Sequence, residues 1–302
     1  MMTTNTTKEV KYTFDTMSLH GIACGGANKD NQNDNIVLCL HGWLDNAASF
    51  SPLMPYFQQY LPEKHIVAVD WPGHGNSSHK SLDAHYHFID WVYDLLQLFE
   101  LNQWQQVDIV AHSMGGMVAS AFAAAFPEKV NSLTLIDSIG FISAKTEQTT
   151  KQLRDGMLSR YKSSALGRER SGAKKNNYHT SLDSAVKARV SVSDLQYENA
   201  KLIVERGIIK EPQGYRWLSD ARLRNISPYR LTLKQAQQFI RDIKCPVQLI
   251  HGSDGMEFVN SGIQDFGRLF QQFSSVEVKG GHHVHMEQPQ KTVHLIKHFL
   301  AE

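Results

Sequence analysis

Five short runs of the chain, residues 36–40, 66–69, 107–110, 133–136 and 247–250, are almost wholly apolar. Runs of that length without alternation suit central strands of a parallel sheet with helices on both faces. Residues 10–22 read differently. Val10, Tyr12 and Phe14 alternate with Lys11 and Thr13, which predicts a half-buried strand hairpinned with residues 19–23. The polar stretch 29–35 reads as a turn. Helical spacing lies between the apolar runs. Phe88, Trp91, Val92, Leu95, Leu96 and Phe99 fall three and four apart and predict an amphipathic helix. Residues 114–126 are rich in small side chains and stop at Pro127, as suits a helix packed closely on a sheet. Residues 290–300 put Val293, Ile296 and Leu300 on one helical face. Strand–helix alternation of this kind predicts a doubly wound α/β fold with a mostly parallel sheet. Residues 141–230 break the rhythm and hold no clean strand. They are read as an inserted, mostly helical lid over the carboxyl ends of the strands, with residues 1–140 and 231–302 as the core.

Candidate chemistry sits where these elements meet. Ala111-His112-Ser113-Met114-Gly115-Gly116 follows one predicted strand and opens a helix. Such an elbow lifts a serine hydroxyl above the sheet edge and needs small neighbours on each side. The helix N-terminus there also favours developing negative charge. Acyl transfer needs two N–H donors for the oxyanion. Met114, after the serine, and Trp43, in Cys39-Leu40-His41-Gly42-Trp43, are the candidates. His41, Gly42, His112 and Gly115 are read as supporting residues. Late in the chain, Gly280-Gly281-His282-His283-Val284-His285 offers a base. His282 follows two glycines, which allow a close approach to Ser113. His283 and His285 are read as supporting or core residues. A metal is not expected, because no cysteine pair or regularly spaced acid accompanies the three histidines.

The acid is open between positions. The order Ser…Asp…His favours Asp254, after the last apolar run. Asp137, after run 133–136, is its rival, and Glu257 a remoter one. The glycines of Asp70-Trp71-Pro72-Gly73-His74-Gly75-Asn76-Ser77 make no phosphate-loop pattern. They read as a structural loop beside the site.

Together these motifs resemble the α/β-hydrolase superfamily. They are His41-Gly42-Trp43, Asp70-x-x-Gly73-x-Gly75-x-Ser77, His112-Ser113-x-Gly115-Gly116 and Gly281-His282-x-x-His285-x-Glu287-x-Pro289. Residues 40–47, 227–232 and 244–252 narrow the resemblance to the serine hydrolase-like, kraken-type proteins. It implies a Ser–His–acid hydrolase of unfixed substrate. Two departures stand out. Ala111 occupies the position where Gly is commoner. The family's usual acid falls three residues after the glycine ending the late strand, and here that residue is Gly255. Haloalkane dehalogenases and epoxide hydrolases share the late His motif but place Asp at the elbow, so Ser113 argues against both.

Composition narrows the classes further. The 302 residues carry 31 basic and 30 acidic side chains, a net charge of +1. That balance lacks the basic excess of a nucleic-acid binder. Residues 151–175 hold eight basic and two acidic side chains, read as a solvated face. Cys24, Cys39 and Cys245 are few and scattered, which implies no disulfide framework. No apolar run reaches membrane-spanning length. The expectation is a soluble, cytoplasmic monomer or small homo-oligomer with no cofactor. It would cleave a carboxylic ester or related acyl bond through an acyl-enzyme on Ser113. Thioester, amide and carbon–carbon bond cleavage and perhydrolysis use the same triad. A ligand-binding protein that kept the fold and lost turnover is the reading from another class.

Overall fold

The computed structural model describes residues 7–26, 35–171 and 178–301. The predicted turn at 29–35 lies almost wholly outside them, as does part of the basic run.

The first hairpin joins β1 (Lys8–Thr13) to β2 (Ser18–Gly25), antiparallel, with Tyr12 opposite Leu19. Val10, Tyr12 and Phe14 turn inward onto the core, as their alternation predicts. β3 (Ile36–Leu40), β4 (His65–Val69), β5 (Val107–His112), β6 (Val130–Ile136) and β10 (Val247–Gly252) follow the five apolar runs, whereas β11 (Phe273–Val278), a partly exposed edge strand with polar positions, has no such run to mark it. The strand order is β1-β2-β4-β3-β5-β6-β10-β11. β2 meets β4 antiparallel, and every pairing from β4 onward is parallel. β3 and β5 are buried along their whole lengths.

Both sheet faces are covered. On one, α2 (Phe88–Asn102) buries Trp91, Leu95, Leu98 and Phe99 in the larger core, alongside α3 (Met114–Ala125) and α8 (Leu233–Asp242). On the other, α1 (Met54–Tyr60) and α11 (Pro289–Leu300) pack Met54, Phe57, Val293 and Ile296 into a second cluster. With both faces covered, the open carboxyl ends of the strands are where a ligand can reach the sheet, and chemistry collects there.

Between β6 and α8 lie α4 (Thr149–Ser163), α5 (Ala165–Ser171), α6 (Leu182–Val190) and α7 (Tyr197–Gly207). This stretch also holds strands, contrary to the strandless reading. β7 (Tyr178–His179), β8 (Ile208–Glu211) and β9 (Gly214–Trp217) form a small antiparallel sheet in the order β7-β9-β8. At two to four residues each, these strands are too short for a period-2 pattern to stand out. α9 (Glu257–Phe266) and the single turn α10 (Val284–Glu287) complete the elements used below. No described helix is long and apolar enough to cross a membrane. All three cysteines are buried and free, and burial pushes the Cys24 and Cys245 thiols up to about 12.

Candidate active site

Ser113 stands between β5 and α3 with φ 51° and ψ −121°. L-residues rarely adopt such a backbone, and the surroundings hold it there. Ser113 N–H donates to the Ile136 carbonyl at 3.1 Å, and Ser138 Oγ donates to the Ser113 carbonyl at 2.7 Å. Gly115 must lack a side chain, since a Cβ would sit 2.4 Å from the Leu40 carbonyl oxygen. That closeness brings the end of β3 against the elbow. Ala111 is fully buried in β5, so the departure from Gly fits within the strand.

His282 Nε2 lies 3.0 Å from Ser113 Oγ. Its Nδ1 lies 2.6 Å from Asp137 Oδ2. The acid beside the histidine is therefore Asp137, and the preference for Asp254 is corrected. Asp254 is exposed on the turn after β10, where its Oδ2 accepts from Ser253 Oγ at 3.1 Å. Glu257 is also exposed, at the start of α9.

The reason lies at Gly255. A Cβ there would stand 2.2 Å from Asp137 Oδ1. A side chain at 255 and the Asp137 carboxylate exclude one another. Asp137 is itself held in the left-handed region, at φ 43°. Its N–H donates to the Ile250 carbonyl at 2.8 Å. The N–H groups of Gly252 and Met256 donate to its two oxygens, each at 3.2 Å. The β10 loop thus cradles a carboxylate that β6 supplies.

Gly42 also approaches the serine closely, for a Cβ there would lie 3.1 Å from Ser113 Cβ. This places the loop after β3, with Trp43 next in the chain, beside the elbow. Met114 opens α3, and the first N–H groups of a helix have no partner within it. The Trp43 ring is about half exposed and donates through Nε1 to the Leu223 carbonyl at 3.1 Å.

His41 is a brace. Its Nδ1 donates to the Gly42 carbonyl at 2.7 Å, and its Nε2 accepts from the Trp71 N–H at 3.0 Å. Burial pushes its imidazole down to about 4, against the opposing pull of the Gly42 carbonyl. The loop 70–77 is structural. Asp70 accepts from Ala47 and Asn76 N–H groups at 2.7 and 3.0 Å and pairs with Arg206.

Sequence reasoning missed three residues here. Asp45 accepts from Arg189 at 2.6 Å, and Asp194 lies 2.5 Å from His283 Nδ1. These contacts tie the insertion to the loops after β3 and β11. Asp45 stands within the quoted stretch 40–47. Arg189, near the end of α6, and Asp194, in the turn after it, carry no sequence signal.

With this geometry in view, comparison with known proteins gives a consistent picture. Residues 35–289 match the alpha/beta hydrolase fold family. The chain belongs to that family. It is 31% identical over 272 residues to a serine hydrolase-like protein of Danio rerio, covering 87% of this chain and 81% of the relative. It is 30% identical to a probable serine hydrolase of Drosophila melanogaster, covering 88% and 81%. The crystal structure of a hypothetical protein from Pseudomonas aeruginosa superposes with a TM-score of 0.86 at 32% identity, covering 98% of this chain and 100% of that one. This α/β hydrolase therefore resembles serine hydrolase-like proteins, and its relatives' names support hydrolysis as the reaction class.

Proposed function

We propose that this α/β hydrolase cleaves carboxylic esters or related acyl bonds through an acyl-enzyme on Ser113. The observation that carries the reading is the unbroken line from Ser113 Oγ to His282 Nε2 at 3.0 Å and from His282 Nδ1 to Asp137 Oδ2 at 2.6 Å. In the proposed reaction, Ser113 Oγ attacks the substrate carbonyl carbon as His282 Nε2 takes its proton. Asp137 accepts the Nδ1–H, fixes the tautomer and stabilises the imidazolium. The N–H groups of Trp43 and Met114 hold the oxyanion. The intermediate collapses, His282 returns the proton to the leaving alcohol, and the acyl group stays on Ser113. Water, deprotonated by His282, then attacks the acyl carbon and regenerates the serine. The residues invoked require no cofactor.

Residues 141–230 act in this proposal as a lid. Its support is that the insertion touches the loops beside the serine, through Leu223 to Trp43, Arg189 to Asp45 and Asp194 to His283. Its aromatics are largely engaged within it. Tyr178 donates to Glu211, Tyr197 to Asp183, and Trp217 to His179.

A fluorophosphonate probe tests the reading. The wild-type chain is expected to be labelled at Ser113 and Ser113→Ala to escape labelling. A wild-type protein that neither reacts with the probe nor turns over p-nitrophenyl esters from acetyl to long acyl would sink it, leaving the ligand-binding reading.

A further inference from the structure

Behind the Ser113–His282 line the His112 imidazole is packed among three others, tilted to each, with ring centroids 4.6 Å from His282, 4.9 Å from His283 and 4.4 Å from His285. His112 Nε2 lies 2.9 Å from the backbone oxygen of His282. A carbonyl only accepts, so Nε2 carries the hydrogen and Nδ1 is a bare lone pair. That Nδ1 is buried and has no hydrogen-bond partner among the described residues. It faces Asp45 Oδ2 at 3.7 Å. A lone pair aimed at a carboxylate inside the protein is unfavourable unless a cation lies between them. His283 Nε2 is 3.3 Å from the same oxygen. The three donor atoms lie within 4.8 Å of one another, and all three residues are buried.

We propose that Asp45 Oδ2, His112 Nδ1 and His283 Nε2 form a binding site for a transition-metal dication of the Zn2+ kind. The spacing fits. Bonds of roughly 2.0–2.2 Å in tetrahedral geometry separate ligand atoms by about 3.3–3.6 Å, against the 3.3 and 3.7 Å found. The outer contacts fit as well. Metal-bound histidines donate their second N–H to a carboxylate or a carbonyl. His112 has the His282 carbonyl at 2.9 Å, and His283 has Asp194 at 2.5 Å. The other oxygen of Asp45 is held by Arg189 at 2.6 Å. Two imidazoles and one carboxylate suit Zn2+ or Co2+ better than Ca2+ or Mg2+. The ion takes the place of any hydrogen on His283 Nε2, which leaves to solvent. Asp194 is exposed and marks the way in. Three protein ligands leave a fourth position open, and Arg189 offsets part of the negative charge, so the ion is exchangeable.

The site lies one imidazole ring from His282. A dication there opposes the positive charge His282 gains in the proposed reaction, so occupancy slows turnover. That consequence rests on the hydrolase mechanism above; the binding does not. His112 escapes a sequence search for metal ligands because its partners come from residues 45 and 283.

The test is equilibrium dialysis of untagged full-length protein against Zn2+, with bound metal counted by mass spectrometry. It is done in a His294→Ala/His298→Ala background, because those exposed side chains on α11 bring their Nε2 atoms to 3.0 Å and can hold Zn2+ by themselves. One saturable Zn2+ per chain is expected, with the intense visible bands of low-coordinate Co2+ on substitution. Asp45→Asn and His283→Gln should each weaken binding at least tenfold, and Asp194→Asn about 10–100-fold. Circular dichroism checks the fold of each variant. If a ligand variant fails to fold, the Co2+ spectrum of the otherwise unaltered chain decides. Absence of saturable binding, a six-coordinate Co2+ spectrum, or full binding by both folded ligand variants would overturn the site. Zn2+ binding with unchanged ester turnover would overturn its inhibitory effect, whereas a chain without esterase activity leaves the dialysis result standing.

Discussion

Two loops at the same end of the sheet each carry an aspartate, and their surroundings differ. Asp137, after β6, is buried, and two backbone N–H groups and the His282 ring meet its carboxylate. Asp254, after β10, is exposed and bonds only its neighbour's hydroxyl among the side chains described. The two loops still act together, since the β10 loop supplies the N–H groups and the empty space at Gly255. Chain order alone does not tell which strand provides an acid. The carboxylate comes from the loop that turns its aspartate onto the histidine, and the other loop must leave room for it, as Gly255 does.

Neutralising each acid in turn should have the largest effects. Ser113→Ala should abolish turnover of p-nitrophenyl esters to within the background rate. Asp137→Asn should lower kcat about 10⁴-fold, because an amide facing Nδ1 favours the wrong tautomer. Asp254→Asn should stay within about twofold, as expected of an exposed side chain remote from the reacting atoms. Reversed losses for the two aspartates would return the acid to the β10 loop.

If one carboxylate's room is the other's exclusion, the pair can be exchanged. Asp137→Gly should be rescued about 10–100-fold in kcat by adding Gly255→Asp. Gly255→Asp alone, beside an intact Asp137, should be harmful. The cut-off case is Gly255→Ala, whose methyl group would meet Asp137 Oδ1 at 2.2 Å. It should cost about 1–3 kcal/mol of stability, as overpacking does, and lower kcat as the carboxylate shifts. Urea unfolding and ester kinetics on the same samples measure both. A neutral Gly255→Ala would mean that the loop yields and that Gly255 did not set the choice.

Much of this was legible beforehand because it depends on local pattern. Apolar runs mark strands buried on both faces, and Ser113 between such a run and a small-residue helix marks the elbow. His282 was marked by its two preceding glycines. The acid was not legible, because Asp137 and Asp254 both follow strands in the permitted order. The deciding fact, a missing Cβ 118 positions away from Asp137 (255 minus 137), is a contact between loops. The short strands at 178–179, 208–211 and 214–217 were missed for want of length. Asp194 and Arg189 were missed because their partners lie in the distant core.

Fully buried histidines contribute to the acid limit of the fold, His41 and His74 among them. His41 and His74 are fully buried, with ring centroids 5.1 Å apart. Burial pushes His41 down to about 4, and burial together with the neighbouring His41 pushes His74 down to about 3. Both stay neutral in the fold yet bind a proton near pH 6.5 when unfolded. The unfolded state therefore holds more protons below pH 6.5, and stability falls as the pH drops. Each residue contributes a slope of at most about 1.4 kcal/mol per pH unit, continuing to about pH 4 for His41 and about pH 3 for His74. Above pH 7 neither has an effect. His74→Asn, whose amide can still donate to the Pro72 carbonyl that His74 Nδ1 meets at 3.3 Å, removes one of these protons. Urea midpoints at pH 7.5, 6, 5 and 4.5 should show the variant losing less stability on acidification than wild type, by about 1 kcal/mol per unit between pH 6 and 4.5. At pH 7.5 it should be the less stable of the two, because it packs a smaller side chain. Equal slopes would mean that His74 is protonated in the fold and that the acid limit is set elsewhere.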